Sequence, residues 1–182
     1  IDGGHSVSAT TFGCFGLTAK RNVILLNTYY YSPAGRVNKK APSDLAKDLN
    51  TFIRLTSTQQ QWQNARIMNR TIDSAEAALR NQYYKDYGQH LHPVSKKKKV
   101  DMIDYVHDLL AQGRFYYLKK PYPINMKHAD SNDIFIKEHQ QFQWDEKTLN
   151  TDNPRVIEEN DHTCDMFVYF CVDNARDLRI EV

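Results

Sequence analysis

The sequence is poor in cysteine and has no long apolar run. Its three cysteines, Cys14, Cys164 and Cys171, are an odd number without paired metal spacing, so we expect no disulfide framework and mostly buried, reduced thiols. No stretch approaches the roughly 18 apolar residues of a membrane helix, and the first residues lack the basic and apolar regions of a signal peptide. We therefore expect a cytosolic protein without a membrane span.

An excess of charge of one sign is also missing, since 24 Lys and Arg against 22 Asp and Glu give a formal net charge of +2. This balance does not by itself indicate a nucleic-acid-binding protein, so any basic surface must be local. The 182 residues, 41% of them hydrophobic, suffice for one domain with its own core and are too few for two ordinary ones. We predict a single domain over residues 1–182, and expect a preceding region because Ile1 and Asp2 look like the end of a strand.

The first half of the sequence predicts a β-hairpin followed by an amphipathic helix. Residues 9–18 and 22–32 are rich in β-branched and aromatic side chains, and a short polar break separates them. If Ile1 ends a strand, three consecutive strands open the fold. Leu45, Leu49 and Phe52 then recur at helical spacing, with Ser43 as the expected N-cap.

The second half predicts strands that alternate with helices. Short strands are expected in residues 66–73, 89–95 and 114–118, and helices in residues 74–88, 100–113, 131–144 and from Asn160 onward, with Asn160 as the cap. Residues 145–159 predict a loop or an irregular hairpin. Hairpin strands followed by alternating elements predict the α/β class, with a mixed sheet that starts with three antiparallel strands and is flanked by helices.

Three acidic residues occupy the positions where such a sheet presents functional side chains. Asp2 lies at the end of the first strand, Asp73 between a strand and a helix, and Asp165 in the first turn of the last helix. Three carboxylates in one cleft repel one another unless positive charge is supplied. Oxygen ligands select Mg²⁺ or Mn²⁺, and two such ions about 3.5 to 4 Å apart activate water and stabilise a leaving oxygen of a phosphodiester. The pattern indicates a nuclease site.

Each of these acids also has a purely structural explanation. Asp73 and Glu76 fit a capping box, and Asp2 before two glycines fits a turn. Asp161 and Asp165 are favourable near the positive end of a helix dipole. The functional hypothesis therefore depends on the joint occurrence of the acids in this order of elements.

His162 precedes Asp165 by three residues and lies on the same face of the predicted helix. It is a candidate to orient the attacking water, to move a proton or to stabilise a neighbour of the metal site, and the sequence does not choose among these roles. A zinc site of His90, His92, His162 and Cys164 is a weaker alternative, because the spacing of these residues is unusual for zinc.

The lysine run in "SKKKKVD" is the densest positive charge in the sequence. Such a run is ordinarily solvated, but four lysines directly before a helix oppose the helix dipole, and a phosphate partner would explain their placement. No base-reading motif is present. We therefore predict nonspecific contacts with a DNA backbone from Lys96, Lys97, Lys98, Lys99 and Lys147.

Several segments resemble the C-terminal nuclease domain of the large terminase subunit of tailed bacteriophages, an RNase H-like fold. They are "DGGHSVSATTFGCFGL", "TIDSAEAALR", "VDMIDYVHDLLAQGRFYYL" and, most specifically, "FQWDEKTLNTDNPRVIEENDHTCDMFVYF". The resemblance covers nearly the whole chain. One departure is "RIMNRTID", in which Arg66, Asn69 and Arg70 occupy a strand that is usually more apolar.

The resemblance implies a metal-dependent endonuclease that cuts double-stranded concatemeric viral DNA during packaging. It implies Asp2, Asp73 and Asp165 as ligands of two Mg²⁺ or Mn²⁺ ions, with His162 as a further catalytic residue beside them. It also implies an ATPase motor in the same polypeptide, which we expect upstream of Ile1 because residues 1–182 contain no Walker A motif. The implied partners are a small terminase subunit and a portal protein, and the implied location is the cytoplasm of the infected bacterium.

Two other functions remain open at this point. Another RNase H-like nuclease, such as a resolvase or a recombinase, would use the same architecture. A non-catalytic module that docks DNA or a portal would use the acids only as helix caps.

Overall fold

Two long antiparallel strands, β1 (Thr10–Leu17) and β2 (Val23–Tyr31), form the first hairpin. They are seen in a computed structural model that describes residues 1–4, 8–35, 37–62, 64–129 and 131–180. Residues 5–7, which belong to the opening segment of the family resemblance, lie outside this description. The third strand of this sheet, β5 (Phe115–Tyr117), pairs with β2 in parallel.

A β-bulge divides the hairpin into two halves. The register shifts between Cys14 and Phe15, so that Leu26 has no partner on β1. An extra residue reverses the alternation of side chains along a strand. Accordingly, Leu25 belongs to the core on one side of the sheet and Tyr29 to the core on the other side.

Residues 1 and 2 join this sheet to a second, two-stranded one. Asp2 exchanges two backbone hydrogen bonds with Thr11 at 3.0 and 2.8 Å, and the Ile1 backbone nitrogen donates to Thr71 at 2.9 Å. Thr71 belongs to β3 (Thr71–Ile72), which pairs in parallel with β4 (His92–Pro93). The result is the mixed sheet with an antiparallel start that the sequence predicts.

Helices cover both faces of the strands. They are α1 (Pro42–Ser57), α2 (Ala77–Tyr87), α3 (Lys99–Ala111), α4 (Asp133–Gln141), α5 (His162–Asp173) and the short α6 (Ala175–Leu178), with a 3₁₀ turn at Gln60–Trp62. A cluster around Phe12, Tyr29 and Phe52 packs beneath α1 and α2, whereas α3, α4 and α5 pack around Phe167. In the described part of the chain, no helix is long and apolar enough to cross a membrane.

Helix α5 crosses β1 at close range and is attached at its far end. A Cβ atom at Gly13 would come within 2.7 Å of the methyl carbon of Met166, so only glycine permits this approach without displacement. At the end of the helix, the Asp173 carboxylate accepts a hydrogen bond from Asn69 at 2.5 Å and another from the Thr71 hydroxyl, and pairs with His92 at 2.7 Å. The helix therefore has a fixed position relative to β3 and β4.

Three predicted helix caps are wrong. Helix α1 has Ala41, not Ser43, at the N-cap position, and the Asp44 carboxylate accepts the hydrogen bond of the Ala41 N–H at 3.1 Å. Pro42 explains the difference, because proline is favoured in the first turn and fixes where the helix begins. Asn160 lies in the left-handed region, with φ of 52°, and α5 begins one residue later than expected, after Asp161.

The capping box of Asp73 and Glu76 does not form either. Glu76 is the N-cap of α2 but makes no side-chain capping bond, and Asp73 instead accepts the N–H of Ala75 at 2.9 Å. The Glu76 carboxylate lies against the strand end, since a Cβ at Gly3 would come within 2.3 Å of it. Glu76 is therefore a further buried acid next to Asp2.

Candidate active site

Four separate segments meet at one end of the strands: residues 1–2, the loop after β3, the residues before α3, and the first turn of α5. The apolar residues of α5 hold its first turn in place, because Met166 and Phe167 are fully buried. A rigid helix start can hold attached side chains close to a required geometry. The acids predicted from the sequence lie on these segments.

Asp2 and His162 form a pair. Asp2 is buried, and its carboxylate lies 3.6 Å from Nδ1 of His162. The other ring nitrogen of His162 accepts a hydrogen bond from the Ala9 N–H at 3.4 Å. The interaction with Asp2 raises the pKa of His162, whereas burial raises the pKa of Asp2 and His162 opposes that rise. The imidazole is thus oriented by its neighbours on both sides.

Asp73 is held by groups from three parts of the chain. Lys96 Nζ contacts both carboxylate oxygens, at 2.7 and 3.0 Å, and the Tyr169 hydroxyl donates a hydrogen bond at 3.2 Å. Together with the Ala75 N–H, these donors fix the carboxylate, which is only 10% exposed. Lys96 Nζ also lies 5.2 Å from the centre of the Tyr169 ring.

Asp165 is paired with Lys99. Lys99 Nζ lies 2.5 Å from Asp165 and 3.3 Å from Asp161, so one ammonium group bridges two carboxylates in the first turn of α5. Burial raises the pKa of Asp165 to about 6, although the neighbouring Lys99 opposes the rise. Without Lys99, the buried negative charges would be uncompensated on this side.

The Tyr169 hydroxyl donates a hydrogen bond to Asp73 and lies within electrostatic range of Asp165 and Asp2. The pKa of Tyr169 is raised, first by burial and then by the negative charges of Asp165, Asp73 and Asp2. Tyr169 was missed because it lies within an apolar run. Its spacing of four residues from Asp165, one helical turn, is the signal that would have found it.

Glu138 on α4 is a second residue that the sequence did not reveal. One carboxylate oxygen accepts hydrogen bonds from the backbone N–H of Thr163 at 2.7 Å and from its hydroxyl at 2.6 Å. Glu138 is 1% exposed, and its other oxygen has no hydrogen-bond partner among the described residues. The acid therefore caps α5 from another helix, and no local spacing signals such a cap.

The lysine run is divided between the site and the surface. Lys96 and Lys99 contact the acids, whereas Lys97 donates a hydrogen bond to the Tyr105 hydroxyl at 2.7 Å. Lys98 is exposed at the N-cap position of α3. Lys147 is exposed in the irregular hairpin after α4, where Asp145 accepts its backbone N–H. DNA binding by these lysines stays a prediction.

The zinc hypothesis is wrong for the described part of the chain. His90 stacks on Tyr84 and His92 pairs with Asp173 at the far end of α5, while His162 and Cys164 lie at its beginning. Nowhere in the described ranges do three His, Cys, Asp or Glu side chains stand together in a group ready to hold a metal ion.

The same finding applies to the predicted acids: Asp73 and Asp165 contact lysine ammonium groups, and Asp2 lies 3.6 Å from Nδ1 of His162. The donor set nevertheless fits Mg²⁺ or Mn²⁺. Asp2, Asp73 and Asp165 offer only oxygen ligands and already pair with basic side chains, and oxygen-only donor sets suit hard divalent cations.

A family model described as "Terminase RNAseH like domain" matches residues 2–173. The matched range contains Asp2, Asp73, His162 and Asp165. No curated protein sequence matches the chain.

Solved structures of large terminases have the same fold. The large terminase of a thermophilic bacteriophage is 21% identical, with a TM-score of 0.74 over 96% of this chain and 37% of that one. Its complex with ATP-gamma-S is 18% identical, with a TM-score of 0.73 over 93% and 38%. The nuclease domain of the bacteriophage SPP1 large terminase with bound Mn is 16% identical, with a TM-score of 0.58 over 97% and 83%. The chain thus spans a little over a third of the first two.

Proposed function

Because the chain belongs to the terminase RNase H-like domain family, we propose that it is a metal-dependent endonuclease that cuts double-stranded concatemeric viral DNA during genome packaging. The observation that carries the proposal is that Asp2, Asp73 and Asp165 lie on segments that meet at one end of the strands, where each is paired with a basic side chain. The Mn bound by the SPP1 nuclease domain supports the use of a divalent cation here. We extend the proposal to two ions, Mg²⁺ or Mn²⁺.

The three aspartates would hold the metal, which supplies activated water and stabilises the leaving oxygen of the phosphodiester. His162 lies between the Ala9 N–H and Asp2, so its imidazole keeps one orientation and holds the Asp2 carboxylate in turn. Burial of the acids lowers the local dielectric, which strengthens every charge interaction within the site. The chain's contribution is therefore to position charge before DNA arrives.

The partners follow from the family as proposals. The first two solved relatives are much longer than this chain, so we propose that the nuclease acts beside an ATPase motor, with a small terminase subunit and a portal as further partners. Lys98 and Lys147 are exposed lysines that would contact the DNA backbone without reading bases. The proposed location is the cytoplasm of the infected bacterium.

Substitution of the acids tests the nuclease proposal. Asp2→Ala, Asp73→Ala and Asp165→Ala are each expected to reduce Mn²⁺-dependent cleavage of plasmid DNA by more than about 100-fold, because each removes a metal ligand. Asp104→Ala, on the exposed side of α3, is the matched control and is expected to leave cleavage unchanged. Circular dichroism verifies folding. Undiminished cleavage by all three variants would refute the proposal and favour a DNA-docking or portal-docking module.

A further inference from the structure

We propose that Lys96 and Lys99 are exchangeable counter-ions of the acidic site, which leave the aspartates to bind DNA phosphates when divalent cations enter. DNA and metal then bind cooperatively. The inference rests on the proposed nuclease function and deepens it, since it assigns the coupling between the two ligands to named side chains.

Lys96 and Lys99 contact carboxylate oxygens that the proposed metal ion would use. Lys96 contacts both oxygens of Asp73, and Lys99 bridges Asp165 and Asp161. A divalent cation on the same oxygens would lie within a few ångströms of an ammonium group, where like charges repel strongly. Metal and lysine therefore cannot occupy these carboxylates together.

The geometry of the segment makes withdrawal of the lysines easy. Lys96 and Lys99 are 38% and 28% exposed, so their stems lie at the surface and only the ammonium groups reach inward. The backbone is fixed on both sides, because Val94 donates to Ile72 at 2.9 Å and Lys98 accepts the N–H of Met102 at 3.1 Å. A lysine has a flexible four-carbon stem, so a change of rotamer suffices without movement of the fold.

The positive charge of the released lysines favours a polyanion as their next partner. Once a metal ion neutralises Asp73 and Asp165, Lys96 loses its carboxylate partner and Lys99 retains only Asp161, while Lys98 between them is already exposed. Together with Lys97, which is also exposed, these lysines place four positive charges in residues 96–99, and a phosphate backbone is the polyanion that the proposed function supplies. Because coupling between two binding events is reciprocal, DNA must in turn strengthen metal binding.

A Mn²⁺ titration of the DNA-free protein tests the first half of the proposal. Lys96→Met and Lys99→Met keep the length of the stem and remove the charge, so they are expected to bind Mn²⁺ about 3- to 10-fold more tightly by calorimetry. Lys98→Met is the matched control, because it removes the same charge from the same segment without touching an aspartate, and it is expected to change affinity less than about twofold. Lys99→Arg retains the charge and is expected to behave like the parent protein.

The salt dependence of DNA binding tests the second half. With Ca²⁺ in place of Mn²⁺ to limit cleavage, each of Lys96→Met and Lys99→Met is expected to reduce the slope of log affinity against log salt concentration by about 1. In EDTA the same lysines are held by Asp73 and Asp165, so their removal is expected to leave the slope unchanged. Fluorescence anisotropy of a labelled duplex measures both slopes.

The outcomes separate this inference from the nuclease proposal. Mn²⁺ affinity that is equal in Lys99→Met and Lys98→Met, or a salt slope that falls equally in EDTA and Ca²⁺, overturns the exchange. If the parent protein binds Mn²⁺ and Asp165→Ala does not, the metal site stands even when the exchange fails. Absence of Mn²⁺ binding by the parent protein overturns both.

Discussion

Asp165 is largely buried and yet is proposed to carry a negative charge, and burial disfavours that charge. Its burial raises the pKa to about 6 from an ordinary value of 3.8, so the site carries a charge that folding disfavours. Lys99 compensates only part of this cost, since its own burial must also be overcome. If Asp165 serves as the proposed metal ligand, its buried charge lowers the stability of the metal-free protein and favours binding of a cation.

The native state holds the Asp165 proton more tightly than the unfolded chain, so stability is lost as the pH rises from about 4 to about 6. Asp165→Asn removes this loss and is expected to raise the free energy of unfolding by about 1 to 3 kcal/mol at about pH 7.5. The gain is expected to shrink below half that value at about pH 4.5.

Urea denaturation in EDTA measures both free energies, and Asp104→Asn on the exposed side of α3 serves as the control. A variant that is less stable than the parent protein at neutral pH would show that the bond from Lys99 outweighs the burial of the charge.

At the residue scale, the sequence predicts the acids but not the groups that hold them. Asp2, Asp73 and Asp165 are proposed as site residues from the joint order of the predicted elements and from the family resemblance, and the fold places them on segments that meet at one end of the strands. Tyr169 and Glu138 do not, because a tyrosine in an apolar run and a glutamate in an amphipathic helix look ordinary until tertiary contacts are known. Lys96 and Lys99 are visible as charge, whereas their inward direction is visible only in the folded chain.

Among the elements, α4 supplies the hydrogen-bond acceptor that caps the first turn of α5. The carboxylate of Glu138 binds two donors of Thr163, one of them a backbone N–H that the helix itself cannot satisfy. His162 precedes Thr163 directly, and Asp165 follows two residues later. The link between α4 and α5 therefore fixes the position of the site residues as well as the end of the helix.

Glu138→Ala is expected to lower the free energy of unfolding by about 2 to 4 kcal/mol, because two buried donors lose a charged acceptor. Glu138→Gln keeps one acceptor oxygen and removes a buried charge, so it is expected to remain within about 1 kcal/mol of the parent protein. Gln140→Ala, exposed on the same helix, is the control. Equal losses from the Ala and Gln variants would show that the charge, and not the capping bonds, matters. Thermal melts decide between these results.

Sequence patterns fail to predict the length of β3 and the residues that cap the helices. The strand expected over residues 66–73 is reduced to Thr71–Ile72, because Arg66, Asn69 and Arg70 are polar and lie outside it. Periodicity predicts the long helices well, since burial of one face produces it. It cannot predict caps that come from other elements or the precise end of a strand.

At the scale of the whole molecule, the site exists only in the folded chain. Its acids are separated by 71 and 92 positions in sequence, and the strand segment at residues 1 and 2 is held between β1 and β3. The unfolded chain therefore offers no comparable cluster of acids, so the proposed metal binding is coupled to folding.

Mn²⁺ at about 100 times its dissociation constant is accordingly expected to stabilise the protein by about 2.7 kcal/mol, visible as a higher melting temperature. EDTA is expected to reverse the shift. Asp73→Ala is expected to show no shift, whereas Asp104→Ala should respond like the parent protein. A shift retained by Asp73→Ala would place the cation elsewhere.

Because α5 is attached at both ends, the number of residues in this helix cannot change without loss of contacts at one end. Glu138 holds its first turn, and Asn69, Thr71 and His92 hold Asp173 at its last residue. One inserted residue within the helix would rotate everything before it by about 100° relative to everything after it, so that Asp165 and Asp173 could not both reach their partners. The hairpin after Trp144 is free of this constraint. Natural variation in length among such domains should therefore accumulate in that hairpin and spare the helix.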